Sequence, residues 1–135
     1  MTDADLAAIL RIARTIAVVG LSPHAHRPSH GVARYLQRAG YRVVPVNPGH
    51  ATILGERSYA SLGLAAADHA IDVVDVFRRS EFAGAVVDQA LPLAPRLIFL
   101  QLGVTDVAAG ERARAAGVPF IQDRCLAVEH QRLVA

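Results

Sequence analysis

Ile16-Ala17-Val18-Val19-Gly20-Leu21-Ser22 is the stretch whose reading decides the fold. Four small or β-branched apolar residues closed by a glycine predict a buried strand with a sharp exit. Arg27-Pro28-Ser29-His30 then leads into Gly31-Val32-Ala33-Arg34-Tyr35-Leu36, which predicts a helix. Strand, small-residue turn and helix make the first unit of a nucleotide-binding α/β sheet, where backbone N–H groups and a helix N-terminus are available to phosphate. The signal gains weight because later strand ends also stop at polar or glycine-containing turns.

Upstream, Thr2 precedes Asp3-Ala4-Asp5 and offers an N-cap with an acidic first turn. Leu6, Ile9, Leu10 and Ala13 recur at helical spacing, predicting an amphipathic helix over residues 3–13 on the outside of the sheet. Downstream, Gly40 ends the first crossover helix, and Arg42-Val43-Val44-Pro45-Val46 predicts a second strand that stops at Asn47-Pro48-Gly49. Pro45 has no N–H, so it must face away from pairing or lie near the strand end. Residues 50–63 read as irregular, with a short edge strand around residues 56–59, and a helical turn follows near 62–67.

Asp72-Val73-Val74-Asp75-Val76-Phe77 is the next strand, and Ser80 is placed to cap a helix carrying Phe82, Val86, Val87 and Ala90 on one face. Leu97-Ile98-Phe99-Leu100 predicts a fully buried strand ending at Gln101-Leu102-Gly103. Thr105 or Asp106 caps a helix that Gly117 ends, and Val118-Pro119-Phe120-Ile121 is the last strand. Asp123 is expected to cap a final helix holding Cys125, Leu126, Glu129 and Leu133. Strands alternating with helices at this pace define an α/β fold: a Rossmann-like parallel sheet of five or six strands with helices on both faces. One domain over residues 1–135 accounts for the chain.

At 53% hydrophobic and 19% charged the composition is globular. The apolar stretches are short and interrupted, so none spans a bilayer. The acidic start lacks the basic and apolar regions of a signal peptide, which makes the cytoplasm the expected location. All 14 basic side chains besides histidine are arginine, the net charge is only +2, and no basic run is interleaved with aromatics. Nucleic acid and membrane are therefore not expected partners, whereas a small anionic ligand is. Cys125 is the single cysteine, which excludes an internal disulfide and a multi-cysteine metal site.

In such sheets the ligand lies beyond the carboxyl ends of the strands, near the switch in strand order. The turns there supply Gly, Ser, Asn, Arg and His but no clustered carboxylates. Such a site holds an anion rather than performing acid–base chemistry. The dinucleotide fingerprint G-x-G-x-x-G is missing, since the glycine after Gly20 is Gly31. Asn47-Pro48 also stands where an acidic residue would bind a ribose diol.

Five blocks in register resemble the small single-domain CoA-binding proteins. They are Val18-Val19-Gly20-Leu21-Ser22 with Arg27-Pro28-Ser29; Val44-Pro45-Val46-Asn47-Pro48; Val73-Val74-Asp75-Val76-Phe77-Arg78; Leu100-Gln101-Leu102-Gly103-Val104; and Asp123-Arg124-Cys125-Leu126 with Glu129-His130. That family is similar to the CoA-binding module of the succinyl-CoA synthetase alpha subunit and of ADP-forming acyl-CoA synthetases. The resemblance implies coenzyme A as the ligand, with Gly20, Ser22, Arg27 and Ser29 around the pyrophosphate. It implies Asn47, Pro48 and His50 on the adenosine side, with Val76, Phe77 and Arg78 across from them. His50 stands where the synthetase module has a lysine that meets CoA phosphate. The synthetases' phosphohistidine and nucleotide-grasp domains have no counterpart here, so their ligase activity is not implied.

Each candidate also has a purely structural reading. Gly20 can serve as a tight turn, Ser22 and Ser29 as caps, Arg27 and Arg78 as solvated charges, and Gln101 and Gly103 as turn formers. Asp75, inside a strand, is expected to be a buried structural carboxylate. His24, His26 and His30 form no convincing metal set without a carboxylate. Cys125 is expected in the first turn of the last helix beside Arg124, where dipole and cation favour thiolate, with Glu129-His130 one turn on to orient or deprotonate it. Pantetheine extending past Phe77 and the Gln101–Gly103 turn would reach it. The leading expectation is a non-enzymatic protein that binds CoA or acyl-CoA, partnered by a larger acyl-CoA enzyme or by copies of itself. The alternatives are a Cys125-dependent acyl-transfer or thiol-redox enzyme and a generic NAD(P)-binding domain.

Overall fold

Strand alternates with helix along the computed structural model, which describes residues 1–135. Helix α1 (Asp3–Ile12) is followed by β1 (Thr15–Val19), α2 (Pro28–Arg38) and β2 (Arg42–Val46). A hairpin of β3 (Thr52–Ile53) and β4 (Glu56–Arg57) then leads to α3 (Leu62–Asp68). The second half comprises β5 (Val73–Val76), α4 (Ser80–Ala90), β6 (Leu97–Leu100), α5 (Val107–Ala115), β7 (Phe120–Ile121) and α6 (Leu126–Leu133). Thr2 starts α1 with a reciprocal cap: its hydroxyl accepts from the Asp5 N–H at 3.1 Å, and the Asp5 carboxylate accepts from the Thr2 N–H at 2.9 Å.

Five strands form one parallel sheet in the order β2-β1-β5-β6-β7. The chain moves outward from β1 to β2, then crosses back and builds away from the other side of β1, so the strand order switches between β1 and β5. The segment expected as a further edge strand pairs instead within its own hairpin and meets β2 through one bridge, Val46 to Tyr59. Pro45 lies on the edge strand. Its carbonyl accepts from the Tyr59 N–H at 3.0 Å on the outer side, so the missing N–H also faces away from β1.

Side chains alternate across the sheet and make two cores. Ala17, Val19, Val44, Val46, Val74, Val76, Ile98 and Leu100 pack beneath α3, α4 and α5. Ile16, Val18, Val43, Val73, Leu97, Phe99 and Ile121 pack beneath α1, α2 and α6. With both faces covered, the strands carry apolar residues in near-continuous runs. No helix is long and apolar enough to cross a membrane.

Three local expectations are corrected. Phe82 is exposed, and the buried stripe of α4 is Ala83, Val86, Val87 and Ala90. Ser80 is the first helical residue rather than the cap; its hydroxyl accepts from the Thr105 N–H at 3.0 Å and so ties α4 to the loop after β6. Asp123 does not cap α6, because its carboxylate accepts from the Gly103 N–H at 2.7 Å. It thereby links the β6 and β7 exits.

Asp75 breaks the apolar run. It lies in register between Val18 and Phe99, fully buried, with neither carboxyl oxygen hydrogen-bonded. Burial pushes its pKa well above the usual carboxylate range, so the group is held neutral. In the unfolded chain it ionises at its ordinary value, whereas the folded state retains the proton. Stability is therefore fully present below the ordinary carboxylate pKa and is lost as pH rises towards the raised folded value. Urea denaturation across a pH series should show Asp75→Asn gaining on the wild type as pH rises from acidic to neutral. A stability gap that stays constant with pH would mean that Asp75 does not exchange its proton on folding.

Candidate functional site

The strand exits meet above the switch point, and Gly20 is the tightest of them. Its φ is +87°, and a Cβ there would overlap the carbonyl oxygen of Phe77. The Gly20 N–H donates to Val46 O at 2.9 Å and the Phe77 N–H donates to Val19 O at 2.8 Å, so the exits of β2, β1 and β5 are bonded side by side. Only glycine combines this left-handed conformation with so close a backbone approach.

The loop after Gly20 is built from its own serines. Ser29 Oγ accepts from the Ser22 N–H at 3.0 Å, and Ser22 Oγ accepts from the His24 N–H at 3.1 Å. Asn47 ties in the β2 turn: its Nδ2 donates to Leu21 O at 2.9 Å, and its Oδ1 accepts from the Gly49 N–H at 3.0 Å. Helix α2 starts at Pro28, three residues earlier than the sequence pattern suggested, because proline suits the first helical position. Arg27 becomes the N-cap residue, yet its side chain makes no capping bond and no ion pair. That leaves an exposed guanidinium beside a helix N-terminus.

These loops enclose a cleft of about 590 Å³. Of the residues singled out from the sequence, Gly20, Ser22, Arg27, Ser29, Asn47, His50, Phe77, Gln101 and Cys125 line it. Four do not. Val76 is fully buried in the core on the α4 face, and Pro48 stays exposed in its turn outside the lining. Gly103 is turned out to meet Asp123, and the Arg78 guanidinium sits 5.0 Å above the Phe82 ring. The structure adds Pro23, His24, Pro28, Val32 and Leu102. Val32 was findable: once Pro28 is taken as the first helical residue, Val32 stands one turn on, on the same face.

The lining holds Arg27, His24 and His50 and no carboxylate. Helix α2 opens on it at Arg27-Pro28-Ser29, and α6 opens on it at Cys125, so two positive helix ends converge there. Phe77, Val32 and Leu102 add apolar surface. This environment suits an elongated ligand with an anionic part and a neutral part.

Cys125 is the N-cap of α6 and half-buried, rather than a first-turn residue. Glu129 and His130 do not serve it. The Glu129 carboxylate accepts from Arg132 at 2.5 Å, and His130 Nδ1 is 2.8 Å from the Tyr35 hydroxyl. His130 instead lines a larger cleft, about 770 Å³, at the amino ends of the strands with Arg11, Arg14, Tyr41 and Arg96. Helices α1, α2 and α6 end there, so its arginines face carbonyl ends and compensate their dipoles. No three His, Cys, Asp or Glu side chains gather as a metal-binding group; the exposed His24 and His26 rings lie 5.8 Å apart.

The fold and cleft define a parallel α/β domain with a carboxylate-free cleft at the topological switch point. The chain belongs to the CoA binding domain family, whose model matches residues 14–131. It is similar to the uncharacterized protein YneT of Bacillus subtilis, 37% identical over 129 residues that cover 96% of this chain and 94% of YneT. A solved Thermus thermophilus structure, cell-free ID.343, is 41% identical with a TM-score of 0.91, covering 98% of this chain and 99% of that one. The fold recurs in a Ca. Korarchaeum cryptofilum dinucleotide forming acetyl-coenzyme A synthetase at 20% identity and a TM-score of 0.71, covering 85% of this chain and 28% of that one.

Gly20→Ala should destabilise the fold by about 1–3 kcal/mol, as a non-glycine residue at positive φ must also displace the Phe77 carbonyl. Chemical denaturation measures this. An unchanged midpoint would show that the β1 and β5 exits separate without cost.

Proposed function

We propose that this protein binds coenzyme A or an acyl-CoA in the cleft at the carboxyl ends of its strands and catalyses no reaction of its own. The observation that carries the reading is the carboxylate-free lining, open to two helix N-termini, in a chain of the CoA binding domain family. The pyrophosphate lies against the Gly20–Ser29 loop with Arg27 as its counter-charge. Adenosine lies towards Asn47 and His50, and pantetheine runs past Phe77 and Gln101 to Cys125. Val76, Pro48, Arg78 and Gly103 take no direct part; they shape the exits that do. An NAD-type ligand fits less well, because the Asn47 side chain is engaged by Leu21 O and Gly49 N–H and no acidic residue follows β2. An acyl-CoA enzyme is the partner class in keeping with the shared synthetase fold.

Calorimetry with CoA, acetyl-CoA, NAD and NADP at equal concentrations should show binding of the first two and little or none of the others. Arg27→Ala should weaken CoA by roughly ten- to a hundredfold, the loss of one charge-assisted hydrogen bond. NAD binding ahead of CoA would discard the reading. Wild-type affinity in Arg27→Ala would remove Arg27 from the site.

The position of Cys125 in the lining favours one addition, a thiol exchange with the ligand. The Cys125 thiolate attacks CoA disulfide; one Cys125–CoA disulfide bond forms as the CoA–CoA bond breaks, and the second CoA leaves as thiolate and takes up a proton. No other cysteine is present to resolve the adduct, so an external thiol must release it. Intact mass after treatment with CoA disulfide should show one added CoA, lost on reduction and absent in Cys125→Ser. An unmodified mass refutes this exchange.

A further inference from the structure

Gln101 follows β6 directly and is 3% exposed, yet it lines the cleft. Its Oε1 accepts from the Leu126 N–H at 2.8 Å. A backbone N–H can only donate, so this bond fixes the orientation of the side-chain amide: oxygen towards α6, NH2 away from it. The NH2 group has no partner in the protein, and it is not among the unpartnered side-chain polar atoms sealed from solvent, which are only the two oxygens of Asp75, so it keeps an opening to solvent. In a side chain so buried, the one opening available to that group is the cleft. The residue thus has two functions at once: its oxygen holds the N-terminus of the helix that carries Cys125, and its nitrogen is a preorganised donor with nothing to donate to.

We propose that Gln101 is the specificity residue for the thiol-bearing arm of the ligand, its Nε2 donating to a carbonyl oxygen there, an amide of pantetheine or the thioester of an acyl-CoA. This inference rests on the CoA reading of the cleft and goes beyond it by naming the group that is read. A donor held in place by a second hydrogen bond loses little freedom on binding, and leaving it unpaired in the closed complex is costly. Ligands with the nucleotide but without the arm gain nothing from it. The contact lies beside Cys125, where it would also hold the arm in line with the thiol, since Gln101 grips the residue next to Cys125.

Two variants separate the donor from its structural partner function. Gln101→Glu keeps the length and the acceptor for the Leu126 N–H but removes the donor; Gln101→Met removes the hydrogen bonds without adding charge. Calorimetry compares each variant with the wild type for CoA and for ADP, which has the pyrophosphate but no thiol-bearing arm. The wild type should bind CoA more tightly than ADP. Gln101→Met should lose about tenfold in CoA affinity, roughly 1.4 kcal/mol, with the ADP affinity nearly unchanged. Gln101→Glu also brings a negative charge to the cleft, so it should weaken both ligands, and CoA about tenfold more than ADP. Thermal melting should show Gln101→Glu close to wild type and Gln101→Met lowered, because only the latter leaves the Leu126 N–H unpaired. Equal losses for both ligands, or no loss of CoA in either variant, overturns the inference and leaves the CoA reading standing. A wild type that binds neither ligand overturns the CoA reading itself and this inference with it.

Discussion

The close approach of the Gly20 backbone to the carbonyl of Phe77 is the constraint on which the rest depends. Parallel strands β1 and β5 are neighbours, but their connections leave in different directions, because the strand order reverses between them. The two exits can part only after passing each other at backbone distance, and any side chain at residue 20 would fill the gap. Once they have passed, the loops diverge and a cleft opens between them. The position of the site is thus a consequence of topology before any side chain is considered.

The chemistry of the cleft comes from what the loops do with their polar groups. Ser22, Ser29 and Asn47 are engaged by neighbouring backbone and give the loops their shape. Arg27 and the free amide nitrogen of Gln101 have no internal partner. The first group builds the walls and the second opens on the cleft. The absence of acidic residues from the lining contrasts with the opposite rim of the sheet, where Asp72 accepts from the Arg14 and Thr15 N–H groups and pairs with Arg96. That rim closes strand starts and helix ends, and it sets one carboxylate, Asp72, against an arginine, whereas the cleft lining holds no carboxylate.

Much of this was legible in the sequence because it is local. Leu6, Leu10 and Ala13 announce α1 by spacing, Thr2 and Asp5 its cap, and Gly117 the end of α5. The departures from local pattern have a common cause. The place of Ser80 and Asp123 just before helices suggests caps, but each bonds to the loop after β6, far away in the chain. The family resemblance implies Val76 as a ligand contact, but the two-residue alternation turns it into the core. Proximity along the helix groups Glu129 and His130 with Cys125, whereas they point to the other end of it, to Arg132 and Tyr35.

By itself the sequence determined the element types, the parallel sheet and the family, because apolar period, glycine position and motif order act over a few residues at a time. Tertiary structure alone decided which polar groups of the cleft were left without an internal partner. Hydrogen bonds between exits remote in sequence consume Asn47, Ser80 and Asp123 and leave Arg27 and the Gln101 nitrogen free. It also decided that Asp75 is sealed between Val18 and Phe99 without a partner, since the strands that enclose it are brought together only by the sheet.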